Sequence, residues 1–462
     1  MNKRKTLSTA SESGAKNFFV PDGFRQAASK HKTTVRVIQN SGSILFYTAG
    51  VKILKLVSFL LLARYLGVSQ FGKFSLVLAF VELFRVMADF GVDTAVIRRL
   101  TVSDEDQSKL VGNTITLKLI LATASYFLTL LMALVLRYPT DLVQLIALAA
   151  FAFFASSLAN ALTTPFQAQL RMKQLIPAKI SGGVFFVLAV AIGIQLGLSL
   201  TGFLAIWVGA EFVTLLLTAV AAKSWVPSKL SFDRNKLKPI FVEAIPLGIS
   251  GILITAYFRL GTLILGWLSG YQAVGEYAVA YIITESFLIL AVAIAGSVFP
   301  IFSKIAVSGD FQRFKRVWIK VYGGSLLLGT IFAICITIFA AQILNLISPE
   351  YKGSISSLIL LSWASVLMFA NMQSAASIQG LGLFKVVTLI ASFNLILNVL
   401  LNLYLIPLWG ATGVALATLL TEGVNMVIQL SLISFLLRKK IMKGCKISSF
   451  LKSPPAERDI IG

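Results

Sequence analysis

The sequence is poor in charged residues, in histidine and in cysteine. Only 13% of its 462 residues are Asp, Glu, Lys or Arg, against about 25% in a soluble domain. The only histidine is His31, and the two cysteines are Cys335 and Cys445. These counts argue against a zinc site, a Cys or His nucleophile and a disulfide framework. The scarcity of charge indicates instead that most of the surface faces lipid.

Among the charged residues, acids are the minority. There are 19 Asp and Glu against 41 Lys and Arg, which gives a net charge of +22. A basic balance can indicate nucleic-acid binding, but here the bases lie in short segments between apolar runs. That placement favours membrane topology. Residues 1–42 have no early apolar core, so we predict a basic cytoplasmic tail and no signal peptide. A basic helix over 30–37 that touches anionic lipid is the alternative for part of it.

The apolar runs predict an all-α integral membrane protein. A membrane-spanning helix needs roughly 20 mostly apolar residues. Twelve such runs occur, at 43–66, 74–92, 111–136, 141–163, 180–198, 202–222, 241–269, 275–302, 321–347, 355–379, 386–406 and 410–437.

The connecting segments predict the orientation of these spans. Segments on one side, including the two tails, hold 32 of the 41 bases, whereas the turns on the other side and the adjacent helix ends hold four. Cytoplasmic loops carry the excess of Lys and Arg. We therefore expect a multi-pass protein of the cytoplasmic (inner) membrane with both termini in the cytoplasm.

The two halves of the chain repeat each other. Gly67, Gly72 and Glu82 correspond to Gly270, Gly275 and Glu285 at an offset of 203, and Glu211 corresponds to Glu422 at an offset of 211. The halves predict six-helix lobes at 43–222 and 241–437, with a cytoplasmic linker at 223–240 and a basic tail at 438–462. Six is even, so both lobes enter from the same side and are related by a pseudo-twofold axis along the membrane normal.

Charged residues inside the membrane are costly, so they are candidates for function. Five bases fall inside the predicted spans: Lys52, Lys55, Arg85, Lys118 and Arg259. Lys52, Lys55 and Arg259 have no acid at helical spacing in their own spans. They either line a cavity or pair with another helix. A cationic cavity would suit a phosphate group.

Acidic residues inside the spans are the candidates for binding a coupling ion, either H⁺ or Na⁺. They are Glu82, Asp89, Glu211, Glu285 and Glu422. Structural packing is the alternative for each, and we expect Arg85 to pair with Glu82 or Asp89 of its own helix.

Asparagines repeat every four residues in the eleventh span, at 394, 398 and 402. Amides suit sugar hydroxyls, which need both donors and acceptors, so Asn394 and Asn398 are candidates to line a binding cavity. The alternative is that they join helices to each other.

Several stretches resemble one family of membrane proteins. These are 63–67 (ARYLG) with Phe71, Gly72 and Phe74 after it, 299–304 (FPIFSK), and the pattern of Asn, Pro, Gly and Ala over 394–418. They resemble bacterial flippases for polysaccharide repeat units, of the O-antigen and exopolysaccharide type. That family is the polysaccharide-synthesis branch of the multidrug/oligosaccharidyl-lipid/polysaccharide exporter superfamily. The resemblance runs from about 43 to 437.

The resemblance implies two six-helix bundles arranged as a V around a central cavity. It implies a non-enzymatic flippase that moves an undecaprenyl-diphosphate-linked oligosaccharide to the outer leaflet by alternating access. The polyprenyl tail would stay in lipid through a gap between the lobes, and a polysaccharide polymerase or chain-length protein could be a partner. We expect no cofactor and no nucleic-acid partner. No Walker A motif is present in the sequence, so an ion or substrate gradient would supply any energy.

Three other functions stay open at this point. A multidrug exporter of the same superfamily should present net acid to its cationic substrates, which the three intramembrane bases argue against. A peptidoglycan-precursor flippase usually has additional C-terminal helices. A membrane-embedded glycosyltransferase or polymerase tends to have a large outer loop, and the predicted outer turns are only a few residues long.

Overall fold

The computed structural model describes residues 22–102, 107–223 and 233–443. The regular secondary structure of these ranges is helical. The α-helices are α1 (Asp22–Asp89), α2 (Val92–Val102), α3 (Gln107–Val135), α4 (Thr140–Ala150), α5 (Ala152–Ala168), α6 (Ile176–Gln195), α7 (Leu200–Ala221), α8 (Arg234–Ser308), α9 (Phe311–Ile347), α10 (Ser354–Gly380) and α11 (Phe384–Lys443). Short 3₁₀ turns at Met172–Leu175 and Pro349–Gly353 precede α6 and α10.

Three of the helices are hairpins whose two arms meet at a glycine. The backbone leaves helical geometry at Gly67 in α1, at Gly270 in α8 and at Gly410 in α11, each with a positive φ. A positive φ is the conformation that glycine adopts at little cost. Each glycine therefore reverses the chain without a separate loop.

Contacts between the arms prove that these helices fold back. The ring centroids of Phe59 and Phe74 are 5.6 Å apart, whereas fifteen residues of straight helix span about 22 Å. Equivalent contacts join the arms of α8 and of α11: Arg259 with Glu285 at 3.7 Å, and Asn398 with Thr421 at 3.2 Å.

The arms account for the predicted number of spans. In the described residues, nine helical stretches are long and apolar enough to cross a membrane, and α4 with α5 forms one of them. Three of the nine contain the hairpins, and counting their arms separately gives twelve segments. The predicted all-α membrane fold is confirmed. We call the end that carries Gly67, Gly270 and Gly410 the hairpin end, and the opposite one the tail end.

Some predicted boundaries differ from the structure. Helix α1 extends back to Asp22, so the second half of the predicted tail 1–42 is helical and includes the segment 30–37. Helix α8 begins at Arg234, inside the predicted linker. Residues 1–21, 103–106, 224–232 and 444–462 lie outside the described part of the chain, as do the predictions made for them.

The two halves touch at the hairpin end through a reciprocal glycine contact. A methyl group on Gly72 would overlap the carbonyl oxygen of Tyr271, and one on Gly275 would overlap the carbonyl oxygen of Val68. Both pairs obey the offset of 203, because Gly72 corresponds to Gly275 and Val68 to Tyr271. A contact in which i meets j and j meets i is the mark of a twofold axis. The pseudo-twofold therefore passes close to this contact.

The halves also meet at the tail end. The rings of Phe90 and Phe241 stack with centroids 5.6 Å apart. Arg99 of α2 donates to Glu243 of α8 at 2.7 Å. A space lies between the hairpin-end contact and the tail-end contact, and α1 and α8 form its walls. These two helices pack more extensively on each other than any other pair of described helices.

We predict that alanine at Gly72 or Gly275 lowers the melting temperature of the purified protein in detergent. The added methyl group must push apart two backbones, and overpacking of this kind costs about 1–3 kcal/mol. Thermal unfolding followed by intrinsic fluorescence measures the change.

The matched control is Gly209→Ala in α7, where a Cβ atom would meet no heavy atom within 4 Å. Alanine is the better helix former, so this variant should be as stable as the wild type or more stable. Equal melting temperatures for Gly72→Ala and Gly209→Ala would contradict the reciprocal contact.

Candidate functional site

A cavity of about 660 Å³ lies between the two halves, with walls from both arms of α1, from α5, from both arms of α8 and from α10. Its size falls within the usual range for ligand pockets. Seven charged residues line it: Lys52, Lys55, Glu82, Arg85, Asp89, Arg259 and Glu285.

Arg259 is the centre of this charged wall. Its guanidinium lies 2.5 Å from Glu82 and 3.7 Å from Glu285. The group also lies over the ring of Tyr281, 5.6 Å from the centroid, which is a cation–π distance. The side chain of Arg259 is 19% exposed. A planar cation is thus held on three sides and remains accessible from the cavity.

The lysines of α1 pair with the same two glutamates. Lys52 lies 3.3 Å from Glu285, and Lys55 lies 3.5 Å from Glu82. Glu82 and Glu285 correspond in the repeat, and each binds a base of the other half: Glu82 binds Arg259, and Glu285 binds Lys52. The charged cluster therefore joins the two lobes across the cavity.

The sequence left open whether the three intramembrane bases line a cavity or pair with acids of other helices, and in the structure they do both. Lys52, Lys55 and Arg259 line the cavity and also pair with acids on other helices. Four bases and three acids line the wall, so the cavity is only slightly cationic. An anionic ligand would bind by taking the place of a glutamate, because a phosphate offers more acceptor oxygens to the same bases.

Arg85 pairs with an acid of α7, whereas the sequence predicts a partner in its own helix, α1. Its guanidinium lies 3.5 Å from Glu211 of α7, so the ion pair forms inside the N-terminal half and not within α1. Helix packing brings Glu211 close, whereas Glu82 is already occupied by Arg259 and Lys55.

Lys118 lies inside the N-terminal half. Its side chain is fully buried and pairs with Asp89 at 2.7 Å and with Asp93. The prediction that Lys118 belongs to the cavity is replaced by this buried ion cluster. Sequence reasoning missed Asp93, which lies just beyond the predicted span. Its spacing of four residues from Asp89 was the available signal.

The asparagine stripe lies within α11 and not among the residues that line the cavity. Asn398 donates to Thr421 at 3.2 Å and accepts from Asn402 at 2.8 Å, and Asn394 is 5% exposed. Asn398 thus hydrogen-bonds between the two arms of α11, as the helix-joining alternative predicts for it. Neither Asn394 nor Asn398 is among the residues that line the cavity.

Glu422 is buried in the C-terminal half among neutral donors. It accepts from Tyr257 at 2.5 Å, from Asn371 at 2.7 Å and from Asn425 at 3.3 Å. Thus Glu211 and Glu422, which correspond in the repeat, have different surroundings. In the described residues no group of three or more His, Cys, Asp or Glu could hold a metal ion.

Comparison with known proteins identifies the family. A family model described as polysaccharide biosynthesis protein matches residues 37–306, more than half of the chain. The chain belongs to the polysaccharide biosynthesis protein family. A second family model, MatE, matches residues 246–404.

Two proteins named as probable flippases are similar in sequence to this chain. The probable low-salt glycan biosynthesis flippase Agl15 of Haloferax volcanii is 25% identical over 418 residues, covering 88% of this chain and 85% of its own. The probable flippase AglR of the same organism is 23% identical over 384 residues, covering 79% and 76%. Both are similar over most of their length.

A solved structure shares the fold. An inward-facing multidrug resistance MATE family transporter of the MOP superfamily superposes with a TM-score of 0.69 at 15% identity, covering 87% of this chain and 100% of that one. The two-lobed architecture of the polysaccharide biosynthesis protein described here is thus the MOP fold.

We predict that Glu82 and Arg259 are energetically coupled in this family member. Glu82→Gln or Arg259→Gln leaves a partly buried charge without its nearest partner, whereas the double variant removes both charges of that pair. Double-mutant cycles on contacting residues give interaction energies of about 0.5–3 kcal/mol, and we expect a value in the upper half of that range. The four variants are compared by chemical or thermal unfolding.

The control cycle uses Lys73→Gln and Asp141→Asn, an ion pair at the hairpin end in which the Asp141 side chain is 61% exposed. Solvent screens such a pair, so it should show little coupling. Equal coupling in both cycles would show that the cavity pair has no special role in joining the lobes.

Proposed function

We propose that the protein is a flippase for a polyprenyl-diphosphate-linked oligosaccharide, and specifically for an undecaprenyl-diphosphate-linked repeat unit. It would carry this substrate from the cytoplasmic to the outer leaflet by alternating access, with no catalytic residues. The observation that carries the proposal is the cavity between the lobes, with Arg259 and two lysines on its wall. Membership of the polysaccharide biosynthesis protein family and the similarity to probable flippases support it.

The bases of the cavity are suited to hold the diphosphate. The guanidinium fork of Arg259 matches two phosphate oxygens, and Lys52 and Lys55 share its glutamate partners. On binding, the diphosphate would replace Glu82 and Glu285 as the counter-ion of these bases. Since those ion pairs join the lobes, their exchange for substrate would also loosen the cross-lobe contact that has to break during transport.

Neutral polar groups of the cavity are suited to hold the sugars. Hydroxyl and amide side chains of both lobes lie on its wall: Thr48, Ser75, Ser156, Ser157, Asn160, Thr255, Thr262 and Ser286. Such groups both donate and accept hydrogen bonds, as sugar hydroxyls require. The sugar-binding role first assigned to the asparagines of α11 moves to this set.

The lipid tail of the substrate would stay outside the cavity. The first arm of α1 and the second arm of α8 expose large apolar side chains, among them Phe46, Ile53 and Val292. Such a surface is compatible with acyl and polyprenyl chains. We propose that the tail runs in lipid at a gap between the lobes while the head group crosses inside.

Multidrug export is the second candidate function, because the fold is shared with a multidrug transporter. A carrier of organic cations needs net negative charge in its cavity, whereas this wall carries more bases than acids. The charge of the cavity therefore favours an anionic substrate. Uptake of cationic dyes into vesicles that contain the protein would separate the two.

Ion coupling is a further part of the proposal. Of the five acidic candidates, Glu82, Asp89 and Glu285 line the cavity, where a proton or Na⁺ would compete with the neighbouring bases for the carboxylate. Glu211 and Glu422 lie behind the wall, in ion-paired and hydrogen-bonded surroundings respectively. Membrane lipids, and a polymerase or chain-length protein, would be the partners.

We predict that Arg259→Ala abolishes flipping while the protein still inserts and expresses. Loss of a charge-assisted contact should weaken substrate binding about ten- to hundredfold. Arg259→Lys should be intermediate, because it keeps the charge and loses the fork. The assay measures accumulation of lipid-linked sugars in a strain whose own copy is deleted, and the accumulated lipid identifies the substrate.

The matched control is Arg64→Ala, which removes an exposed arginine near the hairpin end and should leave export unchanged. Normal export by Arg259→Ala would refute the assigned role. Loss of expression in both Arg259 variants would show instead that the residue serves the fold.

The direction of transport depends on topology, for which we predict that both termini are cytoplasmic. Reporter fusions after Leu437 and within 223–240 should report inside, because these segments are rich in Lys and Arg. A fusion within 348–354, at the hairpin end, should report outside. An outside signal at 223–240 would overturn this orientation.

A further inference from the structure

The first turns of α9, at the tail end of the C-terminal half, have one apolar and one basic face. Phe311 and Phe314 are buried in an apolar cluster of that half. Arg313, Arg316 and Lys320 are exposed. Their spacing of i, i+3 and i+7 places them on one side of the helix. We call these three residues the basic face of α9.

Further along α9 the same side of the helix is turned toward lipid. Five turns of α-helix contain 18 residues, so a residue and the one 18 positions later point the same way. The residues 18 positions beyond the three bases are Ile331, Ile334 and Ile338, whose side chains are 52%, 45% and 60% exposed. They belong to an apolar span long enough to cross the membrane. The basic face therefore points outward to the surrounding lipid and away from the body of the lobe.

The length of α9 fixes the depth of the basic face. No charged residue follows Lys320 up to the end of the helix at Ile347, and roughly 20 apolar residues cross the hydrocarbon core. Lys320 therefore lies at the boundary of the core. Arg316 and Arg313 lie about 6 and about 10 Å further along the helix, at the level of the lipid head groups.

The protein provides no counter-ion for the basic face. Within the described ranges, none of its three bases forms an ion pair with another residue. Asp310, the acid next to the helix, accepts a hydrogen bond from the Arg313 backbone N–H at 2.8 Å and thus caps α9. Three positive charges at the head-group level are left for a partner outside the chain.

The basic face is a feature of one half only. Helix α3, the equivalent span of the first half, has 29 residues, whereas α9 has 37. Both helices end just before a turn at the hairpin end, so the additional turns of α9 lie at the tail end. The excess of bases on one side of the membrane follows from topology, but topology does not place bases on the lipid-facing side of one longer helix.

We propose that the basic face of α9 binds the phosphate-bearing head group of an anionic phospholipid, in the leaflet at the tail end. The lipid would complement the face twice, with its phosphate at the bases and its acyl chains along Ile331, Ile334 and Ile338. Lys and Arg at the membrane surface attract anionic lipids in this way. The inference goes beyond the proposed function and does not depend on it.

Fluorescence quenching in lipid nanodiscs tests the proposal. Leu327 is 63% exposed and follows Lys320 by two turns on the same side of α9, so a cysteine there carries a bimane label and both native cysteines are replaced by serine. Phosphatidylglycerol or phosphatidylcholine with a nitroxide on its acyl chain is added to phosphatidylcholine discs. Half-maximal quenching by phosphatidylglycerol should need about a tenfold lower mole fraction, given the attraction of three bases.

Neutralising the basic face should remove this preference. In the triple variant Arg313→Gln, Arg316→Gln and Lys320→Gln, the two nitroxide lipids should quench at nearly equal mole fractions. The matched control neutralises three exposed bases at the tail end of the other half, in a list of the same length: Arg171→Gln, Lys173→Gln and Lys223→Gln. It removes the same charge from the same end and should keep the full preference.

A single-residue comparison tests the orientation of the face. Lys315 and Arg316 are neighbours, but the residue 18 positions beyond Lys315 is Ala333, which is fully buried. Lys315 therefore lies on another side of α9. Arg316→Gln should lower the preference for phosphatidylglycerol severalfold, and Lys315→Gln should leave it unchanged.

Three results would overturn the proposal. The first is equal quenching by both lipids in the labelled protein with an intact basic face. The second is an equal loss of preference in the two triple variants, which would show that the total charge of the tail end attracts the lipid. The third is release of phosphatidylglycerol by inorganic pyrophosphate added to the solution, which would indicate a site for soluble phosphates.

Discussion

A charge placed in the middle of a membrane needs a partner, because hydrocarbon cannot solvate it. In this protein the partners of Arg259 and Lys52 come from opposite halves of the chain. The need to compensate these charges therefore brings the lobes together around a cavity with a charged wall. The same ion pairs create the polar interior and limit its motion, so an anionic ligand that competes for the bases would affect both.

The two ends of the lobe interface differ in physical character. At the hairpin end, backbone touches backbone at Gly72 and Gly275, a steric contact that has no charge to titrate. At the tail end, Phe90 and Gly91 have positive φ angles between α1 and α2, and the ion cluster of Lys118 with Asp89 and Asp93 lies beside them. The contact at one end is therefore purely steric, whereas charged groups lie next to the contact at the other end.

Sequence reasoning predicted the parts of the fold that depend on local composition. Apolar length gave twelve spans, and the paired Gly67 and Gly270 marked two of the three hairpin turns. Partners distant in sequence could not be predicted, because helical spacing covers only one helix. For that reason the sequence predicts a partner for Arg85 within its own helix, whereas the structure pairs it with Glu211 of α7. In the same way, Lys118 is predicted to line the cavity, whereas its side chain is buried in an ion cluster. The asparagines of α11 were ambiguous, since amides serve sugars and helices equally well.

The reciprocal glycine contact has a consequence for how the two halves of the chain can vary. Each glycine occupies the space left by the other half, so a side chain at Gly72 intrudes on the neighbourhood of Tyr271, which is the counterpart of Val68. Duplicated segments usually become free to diverge once they occupy different places in a molecule. Here the segments around Gly72 and Gly275 pack against each other at the pseudo-twofold axis. A substitution in either segment therefore alters the packing of the other.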